Sequence, residues 1–164
     1  MGYLKKAEPQ DAELLFHWAN EETVRKNSFS STVISYEEHT RWFARILSSH
    51  DTVQYIYLDD EGPAGQIRAD VHGQEAVISY SICVEKRCMG YGKDMLGLLQ
   101  EKIRQDYPQI RKLTAKVKPE NIASQKALMD MGYTEKYDVF ELETGDEAVP
   151  KTEICAGGGI VSDK

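Results

Sequence analysis

The stretch Arg87-Cys88-Met89-Gly90-Tyr91-Gly92 decides how the rest of the chain is read. It stands between a segment with strand alternation and one with helical spacing. Two glycines one residue apart let the backbone curl tightly, because glycine reaches left-handed conformations at little steric cost. The amide N–H groups of such a loop converge, and a helix opening near Gly92 adds the positive end of its dipole. Together they make a nest for phosphate oxygens. Three phosphate-binding patterns compete for the stretch. A P-loop needs GxxxxGK[ST], and Gly92-Lys93-Asp94 lacks both the hydroxyl and the earlier glycine. A dinucleotide fingerprint needs GxGxxG, and Met95 stands where the third glycine belongs. What remains is R-x-x-G-x-G after a strand.

Working outward from that loop, Ile78, Tyr80, Ile82 and Val84 alternate with Ser79, Ser81 and Cys83, which predicts a strand over 76–84. Thr52–Leu58 and Gly65–Val71 read as the arms of a hairpin around Asp59-Asp60-Glu61-Gly62, and His72-Gly73-Gln74 turns into the next strand. On the Gly65–Val71 arm, Ile67, Ala69 and Val71 face one way and Gln66, Arg68 and Asp70 the other. Upstream, a short strand is expected at Tyr3–Ala7. Pro9 and Asp11 then open a helix carrying Leu14, Leu15, Trp18 and Ala19. Asn20 to Ser31 reads as a polar segment. Ser35 and Glu38 form a capping box ahead of a helix with His39, Trp42, Phe43, Ile46 and Leu47 on one face.

Downstream, Met95, Leu96, Leu99 and Ile103 form one stripe of a helix over 90–105. Arg111–Lys118 is a strand closed by Pro119, Asn121–Met131 a helix with Gly132 at its C′ position, and Tyr133–Glu143 one long strand or two short ones. The order β-α-α-β-β-β-α-β-α-β predicts an α/β (α+β) layer fold, a mixed and mostly antiparallel sheet flanked by helices.

The pattern Q/R-x-x-G-x-G/A is the acetyl-CoA signature of the GNAT N-acetyltransferase superfamily, which the chain resembles. Family members follow the signature with a helix, a strand, and an Asn that opens a second helix ending in Gly-Tyr or Gly-Phe. The counterparts are Lys116-Val117-Lys118-Pro119-Glu120-Asn121, then Ile122-Ala123-Ser124-Gln125-Lys126, then Met131-Gly132-Tyr133. The resemblance spans residues 1–143 and implies one acetyl-CoA-dependent N-acetyltransferase domain. The stretch 144–164, with Gly157-Gly158-Gly159 and four acidic residues, reads as a tail or a late edge strand around Thr152–Cys155.

The same resemblance implies a cofactor site. Ile82, Cys83 and Val84 would pair their backbone with the pantetheine arm. Arg87, Cys88, Met89, Gly90, Tyr91, Gly92 and Lys93 would wrap the pyrophosphate, and Asn121, Ser124 and Lys126 would meet the pantetheine and nucleotide end. Equally, Gly90 and Gly92 would suit a plain strand-to-helix turn, and Asn121 a plain N-cap.

Acetyl transfer needs a neutral amine, a polarised carbonyl, aligned substrates and a tolerated thiolate. A backbone N–H freed near Cys83 or Val84 would serve the oxyanion. Many family members place a tyrosine acid seven residues after the Asn, and here that residue is Leu128. The N-x-x-S variant resembles the branch of ribosomal-protein alanine and amino-sugar acetyltransferases, in which Ser124 would hydrogen-bond the thiol. The opposing reading is a solvated or back-bonded helix serine. Glu75 is the candidate base, with Asp70 second. His39 reads as a packed residue of an amphipathic helix, and Cys88 as a loop residue rather than a nucleophile.

The acceptor side is expected from Arg25, Lys26, Asn27, Ser28 and Phe29, with Arg68 orienting the acceptor. This run, with Trp18, Trp42 and Phe43, resembles acetyltransferases of nonulosonic-acid and surface-sugar pathways. It implies a nucleotide-linked amino sugar whose diphosphate meets Arg25, Lys26 and Arg41. A protein N-terminal acetyltransferase and a CoA-binding module without turnover are the alternatives.

Composition bounds these readings. The chain has 164 residues, the length of one domain, with 41% hydrophobic and 29% charged residues. The net charge is −7, from 20 basic and 27 acidic residues, which disfavours nonspecific binding to nucleic acid or an anionic membrane. A small-molecule amine is the expected partner, and the protein a monomer or homodimer. Three cysteines without a CxxC pair, scattered histidines and no zinc spacing predict no metal and a reducing compartment. The opening MGYLKKAEPQ has no apolar core, and Lys6 stands where a myristoylation start wants Ser or Thr, so a soluble cytoplasmic protein is expected.

Overall fold

A computed structural model describes residues 2–136. The expected strand within Tyr133–Glu143 falls largely outside the described residues, as does the 144–164 stretch. In chain order the elements are β1 (Tyr3–Lys6), α1 (Ala12–Ala19), α2 (Glu22–Asn27), α3 (Tyr36–Ser48), β2 (Thr52–Asp59), β3 (Gly62–His72), β4 (Glu75–Ile82), α4 (Tyr91–Asp106), β5 (Lys112–Ala115) and α5 (Ile122–Asp130). Short 3-10 turns at Pro9–Asp11 and Val84–Lys86 join them. The sheet runs β1-β2-β3-β4-β5. All pairs are antiparallel except β4 with β5. The expected fold class is what forms.

Both faces of the sheet are covered. Val53, Tyr55, Tyr57, Ile67, Ala69 and Ile78 pack on one side against Met95, Leu96, Leu99 and Ile103 of α4 and Leu128 of α5. Ile56 faces the other way, into a smaller cluster with Leu15 and Phe43. That double covering explains why β2 is buried at every position from Val53 to Tyr57 and shows no polar alternation. Each fully buried aliphatic or methionine side chain of α4 contributes about 1.5–3 kcal/mol. The sheet approaches α4 so closely that a Cβ on Gly65 would lie 2.6 Å from the Ser81 carbonyl oxygen and 3.2 Å from the Met95 sulfur.

Local signals hold α3 and α5. The capping box forms as read: Ser35 Oγ accepts from the Glu38 N–H, and Glu38 accepts from the Ser35 N–H. His39 is 2% exposed, with Nε2 3.0 Å from the Ala12 carbonyl and rings of Phe16, Trp42 and Phe43 around it. Burial lowers its pKa, so it is a neutral packed residue as expected. At the end of α5 the Tyr133 N–H reaches Leu128 O and the Gly132 N–H reaches Met129 O, a Schellman closure with Gly132 at φ 88°.

Three expectations need correction. The polar segment at 20–31 contains α2, a helix of six residues that the sequence shows only through its Glu21 cap. Alternation stops at Ile82: Cys83 turns inward at 9% exposure and Val84 stands out at 52%, because the chain enters a 3-10 turn there. β5 ends at Ala115 rather than Lys118.

Candidate active site

The early end of β5 opens the site. β4 and β5 stay paired only through Ile78 and Ala115. β4 continues to Ile82, still paired with β3 through Gly65 and Ile82. One edge of β4 is therefore unpaired from Ser79 onward, in a wedge whose far wall is α5. A single chain of matching length could lie along that edge and satisfy its N–H and C=O groups.

The nest lies at the mouth of the wedge. Cys88 has φ 63° and Gly90 φ 84°, two left-handed residues on either side of Met89. Gly90 caps α4 with no side-chain bond, and its carbonyl accepts from the Lys93 and Asp94 N–H groups at 3.0 and 3.3 Å. The earlier N–H groups of the helix point into the loop without intrahelical partners. Gly92 is buried because a Cβ there already touches Tyr80 at 3.5 Å, Ile82 at 3.6 Å and Ala127 at 3.8 Å. Lys93 pairs with Asp130 of α5 at 3.3 Å, linking the loop to the far wall.

The loop is anchored from behind. Lys86 pairs with Asp59 at 2.9 Å and with Glu61, and Tyr91 donates to Asp59 at 2.8 Å. Lys86 chiefly, and then Tyr91, hold the Asp59 carboxyl at about 2, against the opposing effect of burial. These bonds fasten the β2–β3 turn to both ends of the nest.

On α5, Asn121 acts as N-cap, with Oδ1 accepting from the Ser124 N–H at 3.3 Å. Ser124 Oγ lies 2.8 Å from the Tyr80 hydroxyl across the wedge. Lys126 is exposed.

On the other side of the end of β4 is a cavity of about 260 Å³, lined by Trp18, Glu21 and Val24 of the α1–α2 region and by Ile82, Val84 and Arg87. His17, Cys83 and Glu85 complete it. Arg87 does not turn its side chain to the nest. Its guanidinium lies 2.5 Å from Glu21, and its Nε donates to Ile82 O at 3.3 Å. Burial pushes the Cys83 thiol up, as does Glu85 beside it, so the thiol stays protonated. Wedge and cavity meet at residues 82–84. The Cys83 N–H is taken by Ala64 O at 3.0 Å. Val84, first in its 3-10 turn, is left as the N–H donor between them.

The expected acceptor residues lie elsewhere. Arg25 donates to Ser28 Oγ and to the carbonyls of Ser30 and Thr32, so its guanidinium clamps its own loop. Ser28 also donates to Val24 O at 2.6 Å. Arg25, Asn27, Ser28, Phe29 and Arg68 are all absent from the cavity lining, and Phe29 is 70% exposed. Arg68 lies over the Trp42 ring and pairs with Asp70 at 3.0 Å. Arg41 pairs with Glu37 on the surface of α3. Glu75 opens β4 at the end opposite Ile82, about 23 Å away at ~3.3 Å per residue. Its exposed carboxylate pairs with Lys112, and the strand does not bring it to residues 82–84. The cavity also brings in His17, Glu21 and Glu85, of which the sequence marks only Glu21, an acidic residue ahead of Glu22-Thr23-Val24-Arg25.

Among the described residues there is no group of three or more His, Cys, Asp or Glu side chains able to hold a metal ion. Nor is any helix among them long and apolar enough to cross a membrane.

Comparison with known proteins bears on the fold and the family. Residues 3–134 match the family model described as acetyltransferase (GNAT) domain. No curated protein sequence matches. Among solved structures, the aminoglycoside acetyltransferase AAC(6')-Ib in complex with coenzyme A superposes with a TM-score of 0.72 at 14% identity, over 83% of this chain and 86% of that one. Spermidine N-acetyltransferase from Vibrio cholerae, with CoA and spermine, gives 0.74 at 14% identity, over 83% and 82%. The ribosomal L7/L12 α-N-protein acetyltransferase RimL gives 0.71 at 17% identity, over 80% and 78%. At these identities the likeness is one of fold.

Proposed function

The chain belongs to the GNAT acetyltransferases, and from that premise we propose that it acetylates the primary amine of a nucleotide-linked amino sugar. The coarse reaction goes with the family: an acetyl-CoA-dependent N-acetyltransferase. The acceptor, the site residues, a catalytic domain covering residues 1–143 and a reducing, cytoplasmic location are our reading.

In this reading the backbone N–H groups between Arg87 and Lys93 hold the pyrophosphate of acetyl-CoA, the Arg87 and Lys93 amides themselves being taken by Val84 O and Gly90 O. They do so against the chain's net charge of −7 because their partial charges are aimed at one point. The pantetheine arm lies along the open edge of β4 and past residues 82–84, where the Cys83 N–H is held by Ala64 O and the Ile82 carbonyl by Arg87 Nε, and Asn121, Ser124 and Lys126 line the far wall. The Val84 N–H receives the carbonyl oxygen as it becomes an oxyanion. The amine enters from the cavity, attacks the carbonyl carbon and forms the C–N bond. The C–S bond then breaks with its electron pair going to sulfur, beside Ser124. The amine proton leaves through the cavity, where Glu85 and His17 are placed to accept it.

The observation that carries the reading is the meeting of wedge and cavity at residues 82–84. A direct transfer needs two substrates approaching one carbonyl from opposite sides. At about 260 Å³ the cavity falls just below the usual range for drug-sized ligands and suits one sugar ring rather than a whole nucleotide sugar. The remainder would run over the 26–31 segment, where Lys26 and Phe29 are exposed and Arg25 Nη1 and Nη2 are already bonded within the loop.

The test is a thiol-release assay with nucleotide-linked amino sugars, peptides beginning with Ala or Ser, aminoglycosides and polyamines. Turnover concentrated on the nucleotide sugars is expected. Turnover on peptides alone would replace this acceptor with a protein N-terminus, and CoA binding without turnover on any amine would make the chain a binding module.

A further inference from the structure

We infer that Tyr80 is a positioning residue for acetyl transfer, fixing the Ser124 hydroxyl so that its proton points at the departing CoA sulfur. The inference rests on the reading above, in which Ser124 faces that sulfur.

Its basis is where the two hydroxyls meet. Tyr80 lies two residues beyond Ile78, the last β4 residue paired with β5, so it belongs to the open edge of the wedge. Its side chain shares the α4–α5 face with Ile78 and packs on the first turn of α4, where its ring lies 3.5 Å from a Cβ built on Gly92. The hydroxyl crosses to Ser124 Oγ at 2.8 Å. Among the described residues this is the only partner of Ser124 Oγ, so the back-bond to a preceding helix carbonyl does not form. A serine hydroxyl carries one proton and two acceptor sites. When Tyr80 donates to Ser124, the serine proton is left for a third atom, and each bond in such a chain polarises the next. Leu128, at the position where related enzymes carry a tyrosine, is buried in the core and supplies no hydroxyl.

The chemistry involves no transfer from Tyr80. Burial raises its pKa despite the opposing effect of the Ser124 bond, so the phenol keeps its proton while a thiol of pKa about 8.5 leaves as thiolate. The C–N bond forms, the C–S bond breaks with its pair on sulfur, and the Ser124 O–H donates to that charge. The proton lost by the amine goes to the cavity side.

A double-mutant cycle tests this on the full chain, reading kcat, acetyl-CoA affinity by calorimetry and Tm. Tyr80→Phe keeps the ring and removes the donor. It is expected to lower kcat about fivefold, and Ser124→Ala about thirtyfold, from the range for neutral and charge-assisted hydrogen bonds. The double variant should be no slower than Ser124→Ala, and in all three kcat should fall by a larger factor than acetyl-CoA affinity, with Tm lowered only by what one lost hydrogen bond costs. Multiplying effects, or an unchanged kcat in Tyr80→Phe beside a lowered one in Ser124→Ala, overturn the inference and leave the Ser124 reading intact. An unchanged kcat in Ser124→Ala removes both. A fluorinated tyrosine at position 80, a stronger donor of the same shape, should raise kcat even if Tyr80→Phe unfolds; an unchanged or lowered kcat there also overturns the inference.

Discussion

Arg87 of the nest loop reaches Glu21, the cap of α2, and the pair closes one wall of the cavity beside the end of β4, with Nη2 2.5 Å from Oε2. Glu21 also accepts from the Thr23 and Val24 N–H groups. Burial alone would raise its pKa, but the Arg87 bond and the two amides hold the carboxyl below its usual value. One carboxylate thus sets both the start of α2 and the direction of Arg87. Glu21→Gln keeps an acceptor for the cap and loses the charge. Being three-quarters shielded, the pair should be worth more than a surface bridge, about 1–2 kcal/mol, seen as a lower Tm. The acceptor KM should rise several-fold with acetyl-CoA affinity unchanged. An unaltered acceptor KM would remove Glu21 from the acceptor side.

The two glycines of the signature should fail in different ways. A side chain at Gly90 meets nothing within 4 Å, and its cost is the left-handed backbone at φ 84°, about 1 kcal/mol. Gly90→Ala should therefore lower Tm and bind acetyl-CoA nearly normally, whereas Gly90→Glu should abolish binding by placing a like charge beside the pyrophosphate. At Gly92 a Cβ makes only ordinary contacts with Tyr80, Ile82 and Ala127, so Gly92→Ala fits and Gly92→Glu does not. Calorimetry on the four variants separates charge from strain. Normal acetyl-CoA binding by Gly90→Glu would overturn the assignment of the nest.

The nest, the two N-caps at Ser35 and Asn121, the Gly132 closure and the order of the strands were legible because each depends on neighbours in sequence. The cavity was not. Trp18, Glu21 and Arg87 come together only when α2 folds against the end of β4, and six residues of helix leave too little periodicity to read. A cation in a polar loop looks free in the sequence, and only the folded loop shows Arg25 Nη1 and Nη2 bonded to Ser28, Ser30 and Thr32. Glu75 and Ile82 share β4, but the direction of the strand, which the alternation alone does not give relative to the loop, sets them at opposite ends. The shortened β5 was hidden because Lys116–Lys118 continues the strand-like pattern after pairing has ended.

Glu75 provides a control for that placement. Its carboxylate pairs with Lys112, both more than half exposed, and such pairs contribute about 0–1 kcal/mol. Glu75→Gln should leave kcat and both KM values within about twofold, with Tm nearly unchanged. Glu85→Gln, on the cavity wall, should lower kcat. Rate loss in Glu75→Gln at intact fold would return that residue to the reaction.

Acid should loosen the nest before it unfolds the sheet. Asp59 binds Lys86 at 2.9 Å, Tyr91 at 2.8 Å and the N–H groups of Glu61 and Gly62 at 2.8 and 3.0 Å. Its folded pKa of about 2 lies below the ordinary 3.8, with Lys86 as the chief cause. A depressed carboxyl binds fewer protons folded than unfolded, so its contribution is complete above the unfolded value and is lost as pH falls toward about 2. Lys86 is raised by Glu61 and Asp59, so its contribution is present below its ordinary 10.5 and is lost only as pH rises past that value. Between pH 4 and 2 the slope of Tm against pH should therefore be steeper in the natural chain than in Asp59→Asn. Acetyl-CoA affinity should weaken over the same interval, because the bonds being lost tie the β2–β3 turn to Lys86 and Tyr91 on either side of the loop. Parallel Tm slopes in the two proteins would show that Asp59 does not carry this anchor.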